Sequence, residues 1–347
     1  MRHRGVKTVR IGINGFGRIG RLALRALLER HPQAEVVGIN DLAELRASAH
    51  LLQYDSNYGR FGQSVEATAG GLVVGGTPIP YYSVRDWSTM PWGDLGADLV
   101  VESTGVGTER ARAAAHLDGG AGRVLISAPA SDADLTVVLG VNDDQFDPAA
   151  HHVVSNASCT TNGLAPPLDV VHREFGVRKG LMSTIHAYTS SQSLVDTAIS
   201  DLREARASAM SIVPASTGAA RAIGLAIPEL DGRMHGAAYR VPVSTVSIVE
   251  FVAHLERPVD EGEVTDALRA AAAGRLDGIL GVSDEPLVSI DLKGDTRSSI
   301  VDAGSTMVIG GDLVKVAAWY DNEWGYACRI GDVAMAIGER VGAPANV

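Results

Sequence analysis

Cys159 stands in the run Ser158-Cys159-Thr160-Thr161-Asn162, between a strand-like apolar segment and a helix-like one, GLAPPLDVVHREFG. A cysteine at a helix N-terminus feels the positive end of the peptide dipoles, which favours its nucleophilic thiolate form. Such a nucleophile needs a group that takes and returns protons. His186, in the strand-like run STIHAYT, has that chemistry, and the two are expected to meet across the boundary between two domains. The other cysteine, Cys328, lies in an apolar helical stretch with no hydroxyl cluster and is assigned to packing. Two distant thiols make neither a disulfide framework nor a zinc site. His151 and His152 are adjacent on a strand and face opposite ways, so no metal is expected.

A second constellation lies near the start of the chain. Gly15-Phe16-Gly17-Arg18-Ile19-Gly20 fits G-x-G-x-x-G, and Asp41 closes the following strand about 20 residues further on, the dinucleotide fingerprint. Glycines let the backbone approach a pyrophosphate, and the helix N-terminus favours its charge. A carboxylate at Asp41 suits the ribose hydroxyls and repels a 2'-phosphate, which favours NAD over NADP.

The elements that must carry these groups follow from periodicity. Val9, Ile11 and Ile13 alternate as a strand; Ile19, Leu22, Ala23, Ala26 and Leu27 fall at helical spacing; AEVVGIND is a second strand. The alternation continues through GADLVVESTG (strand), TERARAAAHLD (helix), and the strands GRVLISAPA, LTVVLGVN and HHVVSNAS. The expected fold is α/β: an N-terminal doubly wound (Rossmann-type) parallel-sheet domain over 1–157, then an α+β catalytic domain with a largely antiparallel sheet over 158–324. Its long strands are AAYRVPVSTVSIVEFVAHL and TMVIGGDLVKVAAWYD, and residues 325–347 form an amphipathic helix expected to return to the first domain. With 347 residues, 46% hydrophobic and 20% charged, the composition is that of a globular protein. A net charge of -11 opposes nucleic acid and anionic membranes. No apolar run spans a membrane, and Met1-Arg2-His3-Arg4-Gly5 lacks a secretory leader, so the expected location is the cytoplasm.

The motifs INGFGRIGR, SNASCTTN, HAYT, STGAA, RVPV and WYDNEWGY occur in the order and spacing found in phosphorylating glyceraldehyde-3-phosphate dehydrogenases, which the whole chain resembles. The resemblance implies attack of Cys159 on glyceraldehyde 3-phosphate, His186 as base, NAD as hydride acceptor, and phosphorolysis of the thioester by inorganic phosphate to 1,3-bisphosphoglycerate. It implies that Thr189 and Arg240 hold the substrate phosphate, and that Ser158, Thr160, Thr217 and Gly218 hold the attacking phosphate. On the cofactor it places Gly15, Phe16, Gly17, Arg18, Ile19, Asp41, Arg85, Ser127 and Asn322. It further implies a homotetramer, with the loop from Tyr188 to Met210 packed on a neighbouring subunit's cofactor.

Five departures from the family pattern stand out. Ser190-Ser191 replaces Asn-Asp, Glu204 replaces an arginine, Gly163 replaces a second cysteine, Thr197-Ala198 replaces Leu-Pro, and Gly107 stands where an aromatic commonly covers the adenine. They leave room for a diverged paralogue with an altered anion site or tolerance of electrophilic inhibitors. The alternatives are an erythrose-4-phosphate dehydrogenase, which passes its acyl group to water, and a non-catalytic interaction protein on the same fold.

Overall fold

The computed structural model describes residues 8–341, so the reading of Met1–Gly5 lies outside the described residues. The chain forms two compact units. Among the described residues, the first comprises 8–137, Gln145–Ala157 and 327–341; the second comprises Val138–Asp144 and Ser158–Tyr326.

The first unit is built on a seven-stranded sheet. Its strands are β1 (Val9–Asn14), β2 (Ala34–Asn40), β3 (Tyr81–Tyr82), β4 (Leu99–Glu102), β5 (Val124–Ile126), β6 (Leu135–Thr136) and β7 (Val153–Ser155), in the order β6-β7-β5-β4-β1-β2-β3. Every pairing is parallel. A parallel sheet covered on both faces demands continuous apolar runs such as Leu99-Val100-Val101, and all four residues of β4 are buried. Helix α1 (Arg18–Arg30) follows β1 directly and buries Leu22, Ala23, Leu24, Ala26 and Leu27. Helix α2 (Leu45–Gln53) and a small antiparallel sheet over residues 65–79 occupy a stretch that periodicity left unassigned.

Two local expectations change. TERARAAAHLD is two helical turns, Arg110–Ala113 and Ala115–Asp118, rather than one helix. LTVVLGVN is strand only at Leu135–Thr136, because the side chain of Asn142 takes the N–H of Val138 at 2.8 Å and turns the chain.

The second unit holds an eight-stranded mixed sheet: β8 (Val177–Ala187), β9 (Val213–Ala215), β10 (Met234–Val241), β11 (Ser247–Leu255), β12 (Leu280–Ser283), β13 (Ser299–Asp302), β14 (Met307–Ile309) and β15 (Leu313–Tyr320). The path runs β9-β10-β8-β11-β15-β13-β12, with β14 paired to β15. Only β8–β10 and β12–β13 are parallel. The run AAYRVPVSTVSIVEFVAHL splits into β10 and β11: Pro242 cannot donate to a ladder, and Val246 holds a left-handed φ of 66°. Helix α3 (Cys159–Phe175) packs on β11 and β15. Helix α4 is Ala219–Ala226, and α5 is Glu261–Ala272 with an Asp260/Glu263 capping box. The last helix, α6 (Trp324–Val341), is mostly buried rather than half-exposed.

Candidate active site and nucleotide cleft

Ser158 caps α3, its hydroxyl accepting from the N–H of Thr161 at 3.0 Å, so Cys159 is the first helical residue. Just before it Ala157 takes φ 53°, which swings the chain from extended to helical. Cys159 Sγ lies 3.4 Å from Nε2 of His186 on β8. Both belong to the second unit, so the pair does not form across a domain boundary as the sequence suggested. His186 is 4% exposed, and its Nδ1 lies 2.6 Å from the carbonyl of Ala187. A proton on Nδ1 satisfies that carbonyl and leaves the Nε2 lone pair facing sulfur. The parallel β8–β10 register sets Arg240 directly beside His186, with Nη1 2.5 Å from Nδ1 and 3.4 Å from the Ala187 carbonyl. That carbonyl is the common acceptor for both donors.

Burial, then the Arg240 charge, push the His186 imidazole down to about 3. Burial also pushes the Cys159 thiol up, against Arg240 and hydrogen bonds from Thr160, which pull it down. This reverses the expectation drawn from the helix dipole: desolvation outweighs it. Both shifts favour the uncharged pair, a thiol beside a neutral imidazole.

Two further residues, neither among those the resemblance implied, support the site. The phenol of Tyr320, 1% exposed, joins the hydroxyls of Thr160 at 2.9 Å and Thr184 at 2.8 Å, and its ring meets His186 edge-on at 5.9 Å. Gly163 permits this approach: a Cβ there would lie 3.0 Å from the Tyr320 ring. Ser247 accepts from Ala187 N–H at 3.0 Å and donates to Asn322 Oδ1 at 3.0 Å, fixing the orientation of that amide.

The residues expected at the anion sites are placed as follows. Arg240 Nε and Gln192 Nε2 are buried donors without a protein partner, which suits an incoming anion. Thr189 and Ser191 share a hydrogen bond of 3.0 Å between hydroxyls. Thr217 caps the N–H of Ala219, and Gly218 leaves the start of α4 open, since a Cβ there meets nothing within 4 Å. Ser158 and Thr160 have their hydroxyls engaged by Thr161 and Tyr320. Arg206 is held by Asp196 in an exposed pair at 3.1 Å, while Glu204 is half-buried with its N–H on Asp201.

In the first unit, a cleft of about 440 Å³ opens beside Gly15 and Gly17 and is lined also by Asn14, Asn40, Asp41 and Arg85. Gly15 needs its φ of 89°, and a Cβ at Gly20 would stand 2.1 Å from the Gly15 carbonyl. Gly17 caps α1 with no side chain, and a Cβ there would meet nothing within 4 Å. The unsatisfied N–H groups of a first helical turn, with Ile19 among them, are the donors a pyrophosphate needs, so the residues fit NAD. Phe16 N–H is committed to the Asp41 carboxylate, and the Phe16 ring is buried against Tyr81, so Phe16 shapes the loop instead of meeting the cofactor through its N–H. The Arg18 guanidinium pairs with Asp55 at 2.9 Å, which holds that carboxyl below its ordinary range. Asp41 also accepts from Ala43 N–H at 2.7 Å. Ser127 is half-buried, just past β5, and its N–H bonds to the Glu102 carbonyl. Among the described residues no helix is long and apolar enough to cross a membrane.

Two family models match the chain. The family described as "Glyceraldehyde 3-phosphate dehydrogenase, NAD binding domain" matches residues 9–110, and "Glyceraldehyde 3-phosphate dehydrogenase, C-terminal domain" matches residues 158–322. The chain is 53% identical to glyceraldehyde-3-phosphate dehydrogenase of Geobacillus stearothermophilus over 332 residues, 96% of this chain and 99% of that one. It is 51% identical to glyceraldehyde-3-phosphate dehydrogenase 1 of Bacillus subtilis over 96% of this chain and 99% of the relative. It is 49% identical to glyceraldehyde-3-phosphate dehydrogenase 2 of Streptomyces avermitilis over 96% of this chain and all of the relative.

Proposed function

The chain belongs to the glyceraldehyde-3-phosphate dehydrogenase family, and we propose that it is a phosphorylating, NAD-dependent member working through Cys159 and His186. The supporting observation is the 3.4 Å contact between a thiol and a neutral imidazole whose free nitrogen faces it. Cys159 Sγ bonds to the aldehyde carbon of glyceraldehyde 3-phosphate while His186 Nε2 relays the thiol proton to the carbonyl oxygen. NAD, when bound, supplies the hydride acceptor. His186 takes the thiohemiacetal hydroxyl proton as the carbon is oxidised to the thioester. Phosphate then attacks the carbonyl carbon, the C–S bond breaks, and His186 returns its proton to the departing sulfur. An imidazole held near 3 is a strong acid once protonated, which drives that return.

Arg240 and Thr189 would hold the substrate phosphate; Ser158, Thr160, Thr217 and Gly218 would hold the attacking one. Thr160 contributes through its N–H, its hydroxyl being engaged by Tyr320. Asn322 would hold the carboxamide of the cofactor, with Gly15, Gly17, Arg18, Ile19, Asp41, Arg85 and Ser127 on the remainder. The catalytic domain would span 158–324. NADH formation from glyceraldehyde 3-phosphate, with and without phosphate, tests the assignment: turnover that ignores phosphate would point to the erythrose-4-phosphate alternative, and no turnover to an interaction protein.

The protein would act in the cytoplasm as a homotetramer. Supporting this, the loop after Tyr188 exposes Leu194 (76%), Leu202 (82%) and Met210 (85%), a surface that a second copy would cover. Sedimentation equilibrium showing a monomer at micromolar concentration would refute it.

A further inference from the structure

The first unit contains a stack of planar side chains that the chemistry above does not use. His116, fully buried, lies on Trp87 with ring centroids 4.9 Å apart and planes 12° from parallel. The indole N–H of Trp92 donates to His116 Nδ1 at 3.1 Å. An indole N–H only donates, so Nδ1 carries the lone pair and Nε2 carries the proton, which Glu102 accepts at 3.1 Å. Glu102, 2% exposed, is fixed in turn by Asn14 Nδ2 at 2.5 Å and Thr104 N–H at 2.9 Å. The imidazole is therefore held at both ring nitrogens. On the side of solvent the Arg112 guanidinium sits 5.1 Å from the Trp87 centroid. Arg112 is exposed, and no carboxylate pairs with it among the described residues.

Trp87 and Arg112 both line the cleft that holds Asp41. If Asp41 takes the ribose hydroxyls, the attached base falls among the other lining groups: Leu42, Val84, Arg85, Trp87, Val106 and Arg112. Of these, Arg112 alone carries a guanidinium seated over an aromatic ring. A ring at position 107 would have to displace Glu102, since even a Cβ on Gly107 would come within 2.7 Å of its carboxyl carbon.

We propose that Arg112, seated over Trp87, which itself lies on His116, is the platform on which the adenine ring of the cofactor stacks. A guanidinium is planar and weakly hydrated, and it stacks on an aromatic face on one side while leaving the other side for a base. The three-layer stack ties that platform to the core through Trp92 and Glu102, so it is preorganised and little entropy is lost on binding. Val106, 52% exposed in the same cleft, supplies an apolar contact for the base.

The proposal rests on the adenosine end of NAD occupying this cleft. Titration calorimetry on the full chain tests it with NAD, NADP and ADP-ribose. Arg112→Ala is expected to raise Kd for NAD and for ADP-ribose by the same factor, about tenfold, the size of one stacked base. Arg112→Lys keeps the charge but not the plane and is expected to recover little of the loss. Full recovery in Arg112→Lys would mean simple charge attraction and would overturn the proposal. So would a loss confined to NADP, which would make Arg112 a 2'-phosphate contact, or a change below twofold. Asp41→Ala is measured alongside. If it too leaves NAD affinity unchanged, the placement of the cofactor in this cleft fails and the proposal fails with it; if only Arg112→Ala is silent, the platform alone is refuted.

Discussion

Burying a neutral histidine beside an arginine makes stability depend on pH in a way that one substitution isolates. His186 is 4% exposed and is held near 3, whereas an unfolded histidine titrates near 6.5. Between these values the unfolded chain binds a proton that the folded chain refuses. Stability is then fully present above about pH 6.5 and is lost progressively as pH falls toward 3. At pH 5 the gap is about 1.5 pH units, worth about 2 kcal/mol at 1.36 kcal/mol per unit. Asparagine in place of His186 keeps a polar side chain but cannot titrate. Equilibrium urea unfolding at pH 7.5 and pH 5, at one protein concentration, should show the wild type losing about 2 kcal/mol more than His186→Asn over that interval. The variant should also lower turnover by about 10²–10⁴, as loss of a positioned acid–base group does. Equal pH dependence in the two proteins would refute the neutral-histidine assignment, and with it the view that sulfur loses its proton only during attack.

The remaining predictions concern the thiol and the cleft. Cys159→Ser should abolish most dehydrogenase activity while Cys328→Ser retains it, because Cys328 is fully buried and belongs to packing. Iodoacetamide should modify Cys159 first, at a rate still rising above pH 8, and Arg240→Met should slow it at pH 7.5 by removing a charge that favours the thiolate; a rate already level at pH 7 would contradict the raised thiol. Gly20→Ala should cost roughly 1–3 kcal/mol of stability by forcing a Cβ against the Gly15 carbonyl, measured by urea denaturation. Asp41→Asn should narrow the preference for NAD over NADP in kcat/KM by about tenfold, the factor for 1.4 kcal/mol of lost repulsion.

What the sequence determined by itself was carried by contiguous residues, with TERARAAAHLD and LTVVLGVN as local exceptions. The glycine fingerprint and Asp41 lie within one β-α-β unit, so spacing along the chain is spacing in the structure. The Ser158–Asn162 run marks a helix start because capping is local, and Ser158 does cap it. Strand alternation announced β1, β2, β8 and β15 for the same reason. Tertiary structure decided what depends on burial and register. Whether Cys159 rests as thiol or thiolate turned on desolvation, a property of the packed site that no helix dipole reveals. Arg240 meets His186 only because β8 and β10 pair in parallel at that register, 54 residues apart in sequence. Tyr320 reaches Thr160 and Thr184 from a third strand, passing close over Gly163 in α3. Glu102, His116, Trp92, Trp87 and Arg112 look like scattered core and surface positions until the fold joins them into one stacked and hydrogen-bonded cluster. Side chains distant along the chain acquire common chemistry only when packing removes water from between them, and no local period encodes which ones those will be.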